Sequence, residues 1–204
     1  MTMVIVGGTG VSAHRIDEYL QAALLSIDPG RVEIELDVTP GIALADAVLA
    51  DIDRNRDGSL SAEEQRAYGR LVLSALELEI DGTRVPLQPG SFSFPEAGAV
   101  RRGEGTVRLQ SSAMLPRLSD GVHQLRFRNR HHPARSVYLA NALAPRSHRI
   151  VITAQRRDAD QTELVVEYIL RAAPAGSTVA WLLGSLAGVT VLSALLLRRR
   201  NGYH

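Results

Sequence analysis

The chain has 204 residues, a formal net charge of +1, 45% hydrophobic residues and 4% aromatic residues. This length suits one folded domain with additional segments, and the near-neutral charge and scarcity of aromatic rings argue against a nucleic acid partner. The sequence contains no cysteine, which excludes disulfides, thiolate metal sites and cysteine nucleophiles.

Residues 1–13, MTMVIVGGTGVSA, are apolar and end in small residues. This pattern predicts a signal peptide cleaved before His14, truncated because the basic n-region is missing. Gly7 to Gly10 after a strand-like run, with Asp37 further on, would also suit a nucleotide-binding turn. The strand–helix alternation that a nucleotide-binding fold requires does not follow, so we expect an exported chain.

Residues 14–171 are dominated by strand-like patterns. Residues 31–39 alternate between apolar and charged side chains, which predicts a half-buried strand. Residues 17–27 precede the Asp28-Pro29-Gly30 turn, and they suit either a paired strand or a helix. A hairpin is predicted about Asp81-Gly82, and six further strand-like runs follow it. The fold class predicted is therefore mainly β, a β-sandwich in the region outside the cytoplasm.

A helical period interrupts this pattern at residues 42–52 and 62–76. The loop between the two predicted helices, residues 53–64, reads DRNRDGSLSAEE, with oxygen-bearing side chains at alternate positions and a glycine at the sixth. The candidate metal ligands are Asp53, Asn55, Asp57, Ser59 through its carbonyl, Ser61 through a water, and Glu64.

This spacing suits Ca²⁺, a hard cation that takes six to eight oxygen ligands at about 2.3–2.6 Å. Short side chains at alternate positions can converge on one centre, and Gly58 permits the left-handed bend around it. Ser61 and Glu64 also form a capping-box pair for the second helix. Arg54 and Arg56 stand at non-ligand positions and are expected to face solvent.

The loop resembles the EF-hand calcium-binding loop, and the resemblance covers residues 42–76, including both flanking helices. It implies Ca²⁺ as the cofactor. We find no second such loop in the sequence, so Leu60, the apolar eighth residue, is expected to pack on the sandwich or on a second copy of the chain. A single EF-hand of this kind indicates a structural role that stabilises the fold, rather than a calcium sensor.

A wider resemblance is to uncharacterised bacterial exported proteins that open H-x-x-DEYLQA, carry a strand ending in LTPG, and continue with one EF-hand and a β domain. The matching residues here are His14, residues 17–22 and residues 38–41. The layout is also similar to the exported parts of hydrogenase and urease accessory membrane proteins, which handle nickel.

The C-terminal region predicts a membrane anchor. A short linker, residues 172–177, precedes residues 178–197, which contain no charged residue and are long enough for a transmembrane helix. A buried core helix would normally keep a polar stripe. The arginines at 198–200 predict a cytoplasmic tail at 198–204 and a single-pass protein of the cell membrane. Gly184 and Gly188 form a G-x-x-x-G motif, which predicts a homodimer through this helix.

The six histidines suggest an alternative chemistry. His14, once it is the amino terminus, would chelate copper or nickel through its amine and imidazole. His131 and His132 are adjacent, and in a strand their side chains would diverge. His123 and His148 are isolated and are expected at the surface or in loops.

No motif of a hydrolase, zinc protease or P-loop occurs, so the chain is not predicted to be an enzyme. The predicted function is that of a calcium-binding, membrane-anchored module outside the cytoplasm, with a scaffold, adhesion or accessory role. The alternative is a nickel or copper homeostasis accessory protein that uses His14 or the His131/His132 pair.

Overall fold

The computed structural model describes residues 17–173, which form a mainly β protein with 46% strand and 18% helix. The predicted mainly β class is confirmed. The predicted signal peptide, His14, the predicted membrane span with Gly184 and Gly188, and the tail lie outside the described residues. Within residues 17–173, no helix has the length and apolar character needed to cross a membrane.

The first sheet contains five strands, which are β1 (Tyr19–Asp28), β2 (Arg31–Pro40), β5 (Gln88–Ser93), β6 (Val107–Met114) and β8 (Ser136–Ala142). Their order is β5-β6-β2-β1-β8. β1 pairs antiparallel with β2 from Tyr19–Pro40 to Asp28–Arg31 and parallel with β8. Residues 19–28 are therefore a strand, although their alanines and leucines also suit a helix, because β2 offers them a complete ladder partner.

The second sheet also contains five strands, which are β3 (Leu76–Ile80), β4 (Thr83–Arg84), β7 (Gly121–Asn129), β9 (Ile150–Arg157) and β10 (Glu163–Leu170). Their order is β4-β3-β7-β10-β9, and the described pairings are antiparallel. Asp81 and Gly82 have φ angles of 50° and 78°. Two successive left-handed residues are typical of a tight hairpin turn, so the predicted hairpin is confirmed.

The two sheets share one hydrophobic core. Leu25 and Leu36 of the first sheet and Leu78, Phe127 and Leu164 of the second are at most 1% exposed and belong to one cluster. Alternate residues of β2, β7 and β10 face this cluster, as expected for sheets with one solvated face. The arrangement is that of a two-layer β fold.

Side chains cover the open edge of β8. Gln155 of β9 accepts from the Ala142 N–H at 3.0 Å and donates to the Ala142 carbonyl at 3.0 Å, while Arg157 donates to the Ala140 carbonyl at 2.8 Å. These contacts join the neighbouring edges of the two sheets. They also protect backbone groups that would otherwise favour edge-to-edge association.

His123, expected at the surface or in a loop, is instead buried in β7. Its Nδ1 lies 2.7 Å from Asp81 Oδ2 and its Nε2 lies 2.7 Å from the Ser119 carbonyl. Both partners are acceptors, so only the imidazolium, which donates through both nitrogens, satisfies both contacts together. Burial opposes this charge, but the bonds to Asp81 and Ser119 outweigh it and raise the pKa of His123.

This pair predicts a pH-dependent stability. Because the folded pKa of His123 is raised, its contribution is complete below the unfolded value of about 6.5 and is lost as pH rises through the folded pKa. Asp81→Asn should lower the free energy of unfolding by about 1–3 kcal/mol at mildly acidic pH and flatten the decline toward pH 9. Denaturant unfolding from pH 5.5 to 9 measures this, with exposed His148→Gln as the control. Parallel profiles for Asp81→Asn and wild type would contradict it.

Candidate metal-binding loop

The predicted helix–loop–helix lies between β2 and β3 and so carries the chain from the first sheet to the second. A 3₁₀ turn (Ile42–Leu44) leads into α1 (Ala45–Ile52), and α2 (Ala62–Ser74) leads into β3. The apolar faces of both helices are buried, through Val48 and Ile52 of α1 and Val72 of α2, which belong to the main core. The loop at 53–64 is thus held at both ends by elements that pack on both sheets.

Leu60 anchors the middle of the loop. It is half-buried and packs against the main core and against a small cluster formed by Ala45, Leu49 and Val100. Val100 belongs to a short helix, α3 (Ala97–Arg101), that the sequence pattern did not predict. Leu60 therefore contacts the domain itself, which is the first of the two alternatives expected for it.

The first half of the loop turns its side-chain oxygens inward. Asp53 accepts from the Asp57 N–H at 3.2 Å through Oδ1 and from the Gly58 N–H at 2.9 Å through Oδ2. Asn55 Oδ1 accepts from the Asp57 N–H at 2.9 Å, and Asp57 Oδ1 accepts from the Ser59 N–H at 2.8 Å. The Asn55 amide also donates to Asp57 Oδ2 at 2.8 Å. These bonds gather three candidate ligands around one bend.

Glu64 closes the loop. Its Oε1 accepts from the Arg54 N–H at 2.9 Å and its Oε2 from the Ser61 N–H at 3.0 Å and the Ser61 hydroxyl at 2.7 Å. The capping box predicted from Ser61 and Glu64 is present at the start of α2. The Ser61 hydroxyl and then the backbone donors lower the pKa of Glu64, so the side chain is an anion although it is only 9% exposed.

The bend depends on left-handed backbone at two residues, Arg56 with φ of 60° and Gly58 with φ of 81°. A Cβ built at Gly58 would meet no atom within 4 Å, so substitution there is limited by conformation rather than by space. Gly58→Ala should therefore cost about 1–2 kcal/mol. Gly58→Asn should cost less, because asparagine tolerates this conformation. Thermal unfolding in chelator measures both, and equal losses for the two variants would refute the conformational explanation.

All six candidate ligands lie in this loop, but they do not form a complete coordination shell. Within residues 17–173, no three His, Cys, Asp or Glu side chains converge to hold a metal ion. Asp53, Asp57 and Glu64 bind backbone N–H groups instead, and Ser59 contributes its own N–H. To enclose an ion, the carboxylates would turn from these donors toward a shared centre. Arg54 and Arg56 are exposed, as expected.

The expectation that the side chains of His131 and His132 diverge in a strand is wrong. The two residues form a bend between β7 and β8, and their ring centroids are 4.2 Å apart. The cause is the backbone of His132, whose φ of 51° folds the chain back before Pro133. Adjacent side chains alternate between faces only in extended backbone.

Sequence reasoning missed the buried polar residues beneath this bend. Gln21, Asn129 and Tyr138 are 1%, 3% and 4% exposed, and they hydrogen-bond to one another or to His131. One signal was available in the sequence. Gln21 is a polar residue at an inward position of a strand whose neighbouring inward residues, Tyr19 and Ala23, are buried and mostly apolar.

Comparisons with protein-family models, with curated proteins and with solved structures find no match to this chain.

Proposed function

We propose that this protein is a calcium-binding, membrane-anchored module outside the cytoplasm, in which one EF-hand-like loop staples a two-sheet β domain. The observation that carries the proposal is the shape of residues 53–64. Asp53, Asn55 and Asp57 surround a left-handed bend at Gly58, and Glu64 joins the two ends of the loop.

Calcium fits this loop for chemical reasons. The candidate ligands are all oxygens, which hard cations prefer. Asp53, Asp57 and Glu64 would balance the two positive charges with one to spare, and Arg54 and Arg56 moderate the remaining field. A site of this kind outside the cell would work at about 10⁻⁴–10⁻³ M calcium. Because the loop links the two sheets, binding would stabilise the domain, which suits a scaffold, adhesion or accessory role without catalysis.

Calorimetric titration with calcium tests this proposal. Asp53→Ala and Glu64→Gln each remove a ligand charge and should abolish the binding heat. Glu63→Gln is the matched control, because Glu63 is an exposed carboxylate in the same helical turn at a non-ligand position. Absence of heat in the wild-type protein, or equal loss in Glu63→Gln, would end the calcium proposal.

The membrane anchor belongs to the same proposal and is supported by the uncharged sequence of residues 178–197 followed by three arginines. The full chain should stay with membranes after an alkaline wash, and a chain ending at residue 171 should be released. Release of the full chain by the wash would remove this part of the proposal. The G-x-x-x-G of Gly184 and Gly188 supports a homodimer through the same helix.

One alternative function is favoured by a separate observation. A nickel or copper homeostasis role requires imidazole ligands, and the ring centroids of His131 and His132 are 4.2 Å apart. His14, the other candidate, lies outside the described residues. This alternative predicts binding of Ni²⁺ or Cu²⁺ that Asp53→Ala leaves unchanged, and absence of such binding would exclude it.

A further inference from the structure

The bend at His131 and His132 is held by buried hydrogen bonds from three strands. The His131 carbonyl accepts from Gln21 Nε2 at 2.8 Å and from the Tyr138 hydroxyl at 2.8 Å. The His131 N–H donates to Asn129 Oδ1 at 3.0 Å, and Ser136 Oγ donates to the His132 carbonyl at 2.9 Å. The backbone of both histidines is therefore fixed, in a conformation that is strained at His132.

The imidazole of His131, which this network holds in place, has no hydrogen-bond partner. His131 is 5% exposed, and neither of its ring nitrogens has a hydrogen bond. The buried hydroxyl of Tyr68 is also unpaired, and the Tyr68 ring meets His131 edge-on at 6.1 Å. Unpaired buried polar groups are rare in folded proteins, and a bound ion would supply the partner that these groups lack.

A second imidazole, that of His132, lies directly against the first. His132 stacks on Tyr19 with ring centroids 5.0 Å apart, and its own ring lies 4.2 Å from His131. It is half-buried, so part of this histidine pair is accessible to solvent. Neither ring nitrogen of His131 is engaged in a hydrogen bond, so the lone pair of the neutral imidazole is available to a ligand.

We propose that this bend binds a divalent first-row transition-metal ion through the imidazoles of His131 and His132, with the Tyr68 hydroxyl beside them. Imidazole suits zinc, copper and nickel, whereas calcium prefers oxygen ligands. This site would supply the metal ligands of the nickel or copper homeostasis function, and it rests on that alternative. It is independent of the calcium loop. With two imidazoles rather than three, water or another small ligand completes the coordination.

The test is a titration of the full chain with Zn²⁺, and separately with Cu²⁺ and Ni²⁺. His131→Phe and His132→Asn should each lower the affinity at least tenfold, and Tyr68→Phe should lower it severalfold. Asparagine is chosen at 132 because it tolerates positive φ. The control is exposed His148→Gln, which should leave the affinity unchanged. His14→Gln removes the other candidate ligand and distinguishes the two sites, because it should leave the affinity unchanged if His131 and His132 hold the ion. With bound Cu²⁺, electron paramagnetic resonance should show coupling to two imidazole nitrogens.

The results distinguish failure of the histidine site from failure of the metal-homeostasis function. Wild-type affinity in His131→Phe and His132→Asn overturns this site. Loss of binding in His14→Gln alone also overturns it, but leaves the metal-homeostasis function standing. If none of the three ions binds, both the site and that function fail, while calcium binding is unaffected. If His131→Phe does not fold, His132→Asn decides, because the ring it removes is only half-buried.

Discussion

Saturating calcium is expected to raise the free energy of unfolding by about 2.7 kcal/mol when its free concentration is 100 times the dissociation constant. For a domain of this size, that gain corresponds to an increase of about 5–10 °C in Tm. The effect should reach the whole domain rather than the loop alone. The reason is that α1 and α2 place Val48, Ile52 and Val72 in the core that both sheets share.

Thermal unfolding of the full chain in chelator and in calcium measures this shift. Asp53→Ala should remove the calcium-dependent part, and Glu63→Gln should retain it. Magnesium is a useful second ion, because it demands a smaller octahedral site and should stabilise the domain less at equal concentration. An identical Tm in chelator and in excess calcium would contradict the proposed stabilisation of the domain by calcium.

The left-handed bend of the loop at Gly58 was predictable because it is local, whereas convergence of the loop oxygens on one ion stays a prediction. The spacing from Asp53 to Glu64 specifies which side chains can meet within one bend. The bonds of Asp53 to the Asp57 and Gly58 N–H groups, and of Glu64 to the Arg54 N–H, span at most ten residues. The capping box at Ser61 was predictable for the same reason. The turn at Asp81 and Gly82 likewise depends on neighbouring residues alone.

Other features were less predictable because their partners are distant in sequence. Residues 17–27 favour strand and helix almost equally, and the ladder with β2 decides between them. The parallel pairing of β1 with β8 joins segments more than 100 residues apart, as in Tyr19 with Ser136. Sequence periodicity indicates which face of a strand is buried, but it does not identify the neighbouring strand.

The arrangement of His131 and His132 was not predictable for the same reason, because it depends on residues distant in sequence. Local alternation predicted that His131 and His132 point apart, whereas the bend depends on Gln21, which is 110 residues from His131. The partner of His123 is also distant in sequence. Asp81, 42 residues away, reaches His123 because β3 pairs with β7. Buried polar contacts of this range leave little trace in a single sequence.

Replacement of Gln21 should therefore be among the most damaging single changes in this protein. Gln21 is 1% exposed, donates to the His131 carbonyl at 2.8 Å and to Ser136 Oγ at 2.7 Å, and accepts from the Asn129 amide at 2.9 Å. Gln21→Ala leaves the Asn129 donor buried without a partner and opens a cavity. We expect a loss of about 3 kcal/mol in the free energy of unfolding.

Gln21→Met separates the two causes, because methionine keeps most of the volume and none of the hydrogen bonds. A loss of about 2 kcal/mol in this variant would assign most of the effect to the unpaired polar groups. Exposed Gln110→Ala is the control and should change stability by less than about 0.5 kcal/mol. Denaturant unfolding gives all three values. Near-wild-type stability of Gln21→Met would mean that the bend at His131 is held mainly by Tyr138 and Ser136, and that Gln21 acts only by filling space.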